Sequence, residues 1–416
     1  VKLLGGVLKA IAPSTGAPAA TAGSALWTFP SIIGSAVVIA WAAEAAQFLI
    51  SQGMALAILA WLQTLPEFAV EAVIAYQAPR IPDGVALISA NFTGSLRLLV
   101  GLGWPMIYVV AAWSCRRKHG RPLRQIDLEG EHAVEVLALF LPLIYFMVIW
   151  AKGTLTILDA AVLAAMYVAY LFVLNKIPPQ DQEKIEDMEV VPRTILGLRP
   201  WLRNATIIGL FAAGGLILYF VAEPFLHSML ALAVSLGMSQ YMFVQWVAPF
   251  LSEFPEKVSA FYWARKITGA PMALMNMVSS NVNQWSMLVA MIPIVYSASL
   301  NGWGILSGGF SPVVFDHHQR VEILLTISQS ALAFILLCNM SFAWYEAAGL
   351  FGLWFVQFVI PPIHEWVTAV YFLWCAVEVA LFLAGRRTFR AFGTFAALWR
   401  EHGRKDRPVR AGRSRG

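Results

Sequence analysis

The 416-residue chain is 59% hydrophobic and only 13% charged, with a net charge of +5. Soluble domains carry about 25% charged residues, so this composition excludes a soluble globular protein. The apolar runs are continuous and about 20 residues long, enough to cross a hydrocarbon core of ~30 Å as helices, and they lack the short alternating pattern of a membrane barrel.

Residues 1–24 read as an N-terminal extension. It makes a poor signal peptide, because the apolar run Leu3 to Ile11 is interrupted by Gly5, Gly6 and Lys9. Hydropathy then predicts helices over 25–50, 54–78, 83–113, 132–151 and 154–175. A polar linker follows at 176–203, then helices over 204–235, 238–264, 268–299, 319–341 and 343–360. Pro361-Pro362 closes that series, since proline ends a helix, and an extra transmembrane segment spans 361–385 with its helix over 363–385. A basic tail, 386–416, ends the chain. The expected fold is therefore an all-α polytopic membrane protein of about eleven helices.

Positive charge sets the orientation. With the N-terminus outside and the C-terminus inside, Arg116, Arg117, Lys118, Arg121 and Arg124, the 176–203 linker, the Arg265-Lys266 turn and the tail all fall inside; the reverse orientation would put every one of them outside. The tail is expected to lie in cytosol against anionic lipid, not on nucleic acid. Short loops and no clear targeting segment suggest a prokaryotic inner membrane. Cys115, Cys338 and Cys375 are too scattered for a disulfide framework or a metal cluster, and no cofactor motif is visible.

The chain resembles itself. "LPEFAVEA" from Leu65 aligns with "FPEKVSAF" from Phe254, and "SAN" from Ser89 with "SSN" from Ser279. "VEVLAL" from Val134 aligns with "VEILLT" from Val321, and "DAAVLAAMYVAYLF" from Asp159 with "EAAGLFGLWFVQFV" from Glu346. The offsets are 189, 190, 187 and 187 residues. Two units, 25–175 and 204–360, thus form a repeat. Five helices is an odd number, so the second copy enters the membrane from the opposite side. Inverted repeats of this kind bind substrate near the midplane where the halves meet.

Each unit carries a Pro-Glu pair where lipid would be expected. Pro66 and Pro255 remove a helix donor and free the carbonyls of Leu62 and Leu251, a cost tolerated where backbone lines a cavity. Those carbonyls, the carboxylates Glu67, Glu71, Glu253 and Glu256, and the hydroxyls of Thr64 and Ser252 are oxygen ligands suited to a hard cation. Asn91, Asn276, Ser280 and Asn281 add amide and hydroxyl oxygens from the neighbouring helices. Glu67 and Glu71 are four apart, and Glu253 and Glu256 three apart, so each pair shares a helix face. So many acids in one cavity need cations or protons, and Glu67 and Glu256 are expected to face each other across the pseudo-twofold axis. The plainer alternative is that each glutamate is a protonated packing group bonded to a neighbouring helix.

These motifs resemble the two repeats of the calcium/cation antiporter superfamily, which includes the sodium/calcium exchangers. Its pattern reads G-T-S-L-P-E, followed on the next helix by G-N-x-x-G-S-N-x-x-N. Here the first copy is "LQTLPE" (Leu62 to Glu67) with "VALISANFTG" (Val85 to Gly94). The second is "LSEFPE" (Leu251 to Glu256) with "MNMVSSNVNQ" (Met275 to Gln284). The resemblance covers about 25–360 and implies that the Pro-Glu carboxylates bind the transported cation from each side in turn. It implies inorganic cations as partners, Ca2+ with Na+ or H+, and no enzymatic activity. The chain departs from the pattern at Leu62 and Leu251, where the family has glycine. Thr64 and Glu253 stand at a sodium-ligand serine, Glu71 where serine is common, and Ala86, Gly94 and Gln284 at family asparagines. A site richer in acids and poorer in hydroxyls favours a divalent cation, puts sodium coupling in doubt and leaves room for proton coupling. The competing reading is a non-transporting sensor or partner-binding protein on the same scaffold.

Other ionisable residues leave alternatives open. Glu135, Glu322, Asp159 and Glu346 read as helix-dipole partners or as gates. Glu44 and Glu223 read as interfacial or hydrogen-bonded. Arg97 either pairs with a cavity carboxylate or snorkels, and Lys257 either compensates Glu256 or points elsewhere. Asp316, His317 and His318 form a weak metal motif.

Overall fold

A computed structural model describes residues 21–49, 62, 64–177, 188–301 and 309–405. The first part of the helix expected over 54–78, most of the N-terminal extension, the middle of the linker and the end of the tail lie outside these residues.

Helix α1 (Ala25–Ala46) is followed by α2 (Leu65–Gln77). The next helix is one long rod, α3 (Gly84–Leu98) and α4 (Trp104–His119), joined by a π-helical turn at Leu99–Gly103. The segment expected over 132–151 is broken at Leu139 into α5 (Ala133–Ala138) and α6 (Phe140–Lys152). Pro142 is the cause, because it has no amide to give the carbonyl of Ala138. Helix α7 spans Ile157–Lys176, and α8 (Val190–Leu196) precedes the 36-residue α9 (Pro200–Ser235).

The segment expected as one helix over 238–264 is two: α10 (Gln240–Ser252) and α11 (Phe254–Ala264), parted at Glu253. Helix α12 (Ala270–Asn283), a second π turn at Gln284–Leu288 and α13 (Val289–Asn301) form the counterpart of the α3–α4 rod. Helices α14 (His317–Leu337), α15 (Trp344–Val359) and α16 (His364–Leu383) follow. Part of the basic tail is helical as well. Helix α17 (Arg390–Lys405) packs back on α5, and its Ala391 amide donates to the carbonyl of Cys338 at 3.0 Å.

Seven stretches of the described residues are long and apolar enough to cross a membrane unaided: Ala22–Leu49, Gly84–His119, Gly130–Lys152, Ile157–Lys176, Pro200–Ser235, His317–Leu337 and Pro361–Leu383. The other four expected crossings are accounted for individually. One lies partly outside the described residues and one is broken at Glu253. The α12–α13 rod carries Asn276, Asn281, Asn283 and Gln284, and α15 is 16 residues long.

Two short antiparallel ladders join the two parts of the chain. Strand β1 (Gln125–Asp127) pairs with β4 (Ser341–Ala343), placing Ile126 opposite Phe342. Strand β2 (Thr154–Leu155) pairs with β3 (Val313–Val314), placing Leu155 opposite Val313. Ile126 and Val313 are 187 positions apart, and so are Leu155 and Phe342. One ladder is thus the other with its two strands exchanged, and these four inward residues are all buried.

Close helix contacts rest on missing side chains. Helices α1 and α9 lie side by side, and a Cβ on Gly214 would stand 2.6 Å from Ile39. Helices α3 and α10 touch at Gly94, where a Cβ would lie 1.9 Å from the carbonyl oxygen of Gln245. The absence of an asparagine at 94 therefore has a packing reason.

Candidate cation site

The second Pro-Glu motif does not kink a continuous helix, as the sequence suggests: α10 ends at Ser252 and α11 begins at Phe254, and α2 likewise begins at Leu65. Pro66 and Pro255 occupy the first turn of α2 and α11, where a missing amide costs nothing. Glu67 and Glu256 are therefore first-turn acids, favoured by the positive end of the helix dipole. All ten sequence-selected residues are buried: Glu67, Glu71, Glu253, Glu256, Thr64, Ser252, Asn91, Asn276, Ser280 and Asn281.

Seven of them take part in buried hydrogen bonds between side chains: Glu67 and Glu253 are bridged across the halves through shared donors, and Thr64, Glu71, Asn91, Glu256 and Ser280 belong to separate pairs. The Ser95 hydroxyl is in contact with both Glu67 Oε1 and Glu253 Oε1. Gln284 Nε2 donates to Glu67 Oε2 at 2.8 Å and to Glu253 Oε1 at 3.2 Å. Asn283 Nδ2 donates to Thr64 Oγ1 at 2.6 Å. So α12 of the second half reaches the Pro-Glu motif of the first. Within the first half, Asn91 Nδ2 donates to Glu71 Oε2 at 2.5 Å. Within the second, the Ser280 hydroxyl donates to Glu256 Oε1 at 2.6 Å.

The direct cross-half partner of Glu67 is therefore Glu253, joined through shared donors, while Glu256 is held by its own half. Ser252 does not join the cluster. Its hydroxyl turns back to the carbonyl of Ala248 at 3.0 Å, as serines near helix ends do. Lys257 compensates Glu253, not Glu256, through a buried ion pair of 2.5 Å.

Several acceptors in the cluster are left over. Glu71 Oε1, Glu256 Oε2, Asn91 Oδ1, Asn281 Oδ1, Asn283 Oδ1 and Gln284 Oε1 are buried and have no hydrogen-bond partner. Buried polar atoms are almost always satisfied, so a group of orphaned oxygens beside carboxylates is chemically ready for a hard cation. No three His, Cys, Asp or Glu side chains among the described residues converge as a ready-made metal cage; the oxygens come from amides and carboxylates together. The residues that sequence reasoning missed are Ser95, Asn283 and Gln284 as partners. Gln284 stands at a family asparagine position, which was the available signal for it. Ser95 follows the glycine that replaces the matching asparagine.

A second buried network adjoins the first, two residues along α3 from Ser95. Arg97 Nη2 pairs with Glu322 Oε2 at 2.6 Å. Gln245 Nε2 donates to the same oxygen at 2.9 Å. The other carboxylate oxygen lies 2.5 Å from His364 Nδ1, on α16. Arg97 thus pairs and does not snorkel, and Glu322 serves as its counter-ion, not as a dipole partner, being a turn beyond the start of α14. By contrast Asp159 and Glu346 cap their helices, accepting the amides of Thr156 at 2.6 Å and Ala343 at 2.8 Å. Asp316 does the same for Gln319 at 2.8 Å. Glu223 accepts from Gln77 at 3.0 Å and Glu44 from the Glu189 amide at 3.4 Å.

The structure is thus a multi-helical membrane fold in which Glu67 and Glu253 are bridged through shared donors. The sodium/calcium exchanger protein family model matches residues 19–175 and 206–361, three quarters of the chain. The chain belongs to that family, within the calcium/cation antiporter superfamily, whose members are membrane transporters and not enzymes. Among solved structures, the H+/Ca2+ exchanger CAX is 27% identical, with a TM-score of 0.81 over 97% of both chains. The sodium-calcium exchanger NCX_Mj is 17% identical with a TM-score of 0.53, over 81% of this chain and 97% of that one. YfkE is 16% identical with a TM-score of 0.52, over 86% and 97%. These last two show likeness of fold. A search of curated protein sequences gave no match.

Proposed function

We propose that the protein exchanges Ca2+, or a similar divalent cation, for H+ or Na+ by alternating access. Glu67 and Glu256 are the principal ligands, and Glu71, Glu253, Thr64, Asn91, Asn276, Ser280 and Asn281 complete the site. The observation that carries this reading is the group of partnerless buried oxygens lying among carboxylates from both Pro-Glu motifs. Ser252, turned into its own helix, is left out of the ligand set.

The two ladders with exchanged strands support two inverted five-helix halves, with eleven crossings, the N-terminus outside and the C-terminus inside. Their register repeats under a 187-residue shift, as a twofold axis in the membrane plane requires. The natural setting is a prokaryotic inner membrane, with the basic tail against anionic lipid. Proton coupling is the better fit than sodium coupling. The family's sodium-ligand serine is Glu253 here, already tied to Lys257, whereas proton coupling asks only for carboxylates that exchange a cation for protons.

The test is uptake of radiolabelled Ca2+ into proteoliposomes under separate outward H+ and Na+ gradients, beside Glu256→Gln. Uptake driven by the H+ gradient and abolished by the substitution is expected. Flux untouched by Glu256→Gln would return the protein to the sensor or partner-binding reading.

A further inference from the structure

Two basic clusters, far apart in sequence, line one cavity. The end of α4 brings Trp113, Arg117 and Lys118, and the end of α11 with the turn after it brings Tyr262, Arg265 and Lys266, around a space of about 560 Å³. That volume is in the range of small-ligand sites, roughly 300–1,000 Å³. None of the lining residues is acidic. Among the described residues, Arg117, Lys118 and Arg265 form no ion pair. Tyr262 and Lys266 also border an adjoining cavity that contains Glu44 and Glu189.

Basic residues at helix C-termini oppose the helix dipole, and that accounts for each cluster separately. It does not require the two to converge on a shared space. Convergence of Arg117, Lys118 and Arg265 costs mutual repulsion unless an anion sits between them. The Arg117 guanidinium lies 5.6 Å from the Trp113 ring centre, and Trp113 and Tyr262 are about half exposed. Amphipathic aromatics of this kind mark the headgroup level of a bilayer.

We propose that this cavity binds a phosphate group, carried by an anionic phospholipid headgroup or supplied as free phosphate. Arg117 and Arg265 hold its oxygens through their planar forks, and Lys118 and Lys266 add point charges. Trp113 and Tyr262 flank the glycerol backbone when the source is a lipid. The site bridges the end of the α3–α4 rod, which carries Asn91 and Ser95, to the end of α11, which begins at the second Pro-Glu motif. It stands independently of the ion-exchange reading.

The experiment is thermal unfolding of the purified full chain in detergent, titrated separately with phosphatidylglycerol, phosphatidylcholine and inorganic phosphate. Wild type is compared with Arg117→Gln/Arg265→Gln. Phosphatidylglycerol is expected to raise the midpoint and phosphatidylcholine not to. The double variant should need about tenfold more phosphatidylglycerol, or above, for half the rise. An equal, variant-sensitive rise with inorganic phosphate would name free phosphate as the source and uphold the site. A rise of equal size with phosphatidylcholine, or one unchanged in the double variant, would overturn it; the latter would put the lipid at the basic tail instead. Should the double variant fail to fold, Lys118→Gln is followed by native mass spectrometry. Fewer retained phosphatidylglycerol molecules are expected, and an unchanged number sinks the proposal.

Discussion

At the scale of single residues, Ser95 is the hinge of the site's chemistry. One hydroxyl contacts carboxylates from both Pro-Glu motifs, and a hydroxyl has only one proton to donate. Ser95→Ala is expected to weaken the apparent Ca2+ affinity in transport about tenfold, from the loss of ~1–3 kcal/mol of bonding to charged groups. Folding should be kept, since alanine fits the same space. The Ca2+ dependence of uptake measures this, and an unchanged half-saturation would remove Ser95 from the site. Arg97 differs in kind. It neutralises Glu322 in the interior, so Arg97→Ala leaves a buried charge without its partner and should destabilise by about 3–5 kcal/mol. Replacing both, as Arg97→Met with Glu322→Leu, should restore much of the loss. Thermal unfolding of the three variants in detergent separates the two cases.

At the scale of elements, the lesson concerns where helices break and touch. The amides and acids of the second half were legible in the sequence as a polar face, and the Pro-Glu pairs as irregularities in apolar runs. What they do to the backbone was not. Proline reads equally as a kink within a helix or as the first turn of a new one, and only the path of the chain on either side of Glu253 settles it. The Gly94 contact was likewise hidden, because an absent side chain signals nothing about which backbone will fill its place. Gly94→Ala would drive a methyl into the Gln245 carbonyl, so expression or monodispersity should fall sharply. Gly209→Ala, on α9 with open space around it, should be neutral or slightly stabilising, by up to ~1 kcal/mol. Size-exclusion profiles of the two variants make the comparison. Equal profiles would mean that α3 and α10 are free to separate.

At the scale of the whole molecule, the two strand ladders make the inverted repeat testable. Asp127 and Val314 occupy matching exposed positions, one in each ladder. If the halves are inverted, the ladders lie on opposite membrane faces. A membrane-impermeant thiol reagent should then label Asp127→Cys only from the cytoplasmic side and Val314→Cys only from the outside, in a background lacking the three native cysteines. Labelling of both from one side would exclude the twofold arrangement. His364 adds a feature outside the repeat. Helix α16, beyond the residues matched by the family model, sends an imidazole to Glu322, so this helix is anchored to the ionic network beside the site.

Hydropathy along the chain was enough for the membrane class, and the paired motifs were enough for the family, because both are local patterns; the same patterns point to two units and to a set of oxygen ligands. The chain alone also singled out the four carboxylates and Asn91, but neither Asn283 nor Gln284, the amides that cross between the halves. The packing of the helices settled which carboxylate meets which donor across the fold: Glu67 with Gln284, and Arg97 with Glu322. The physical reason is that a buried charge takes whatever complementary group the packing brings within about 3 Å. Those partners lie on helices separated by 217 residues in the first case and 225 in the last. No local pattern encodes such distances; the close approach of the helices does.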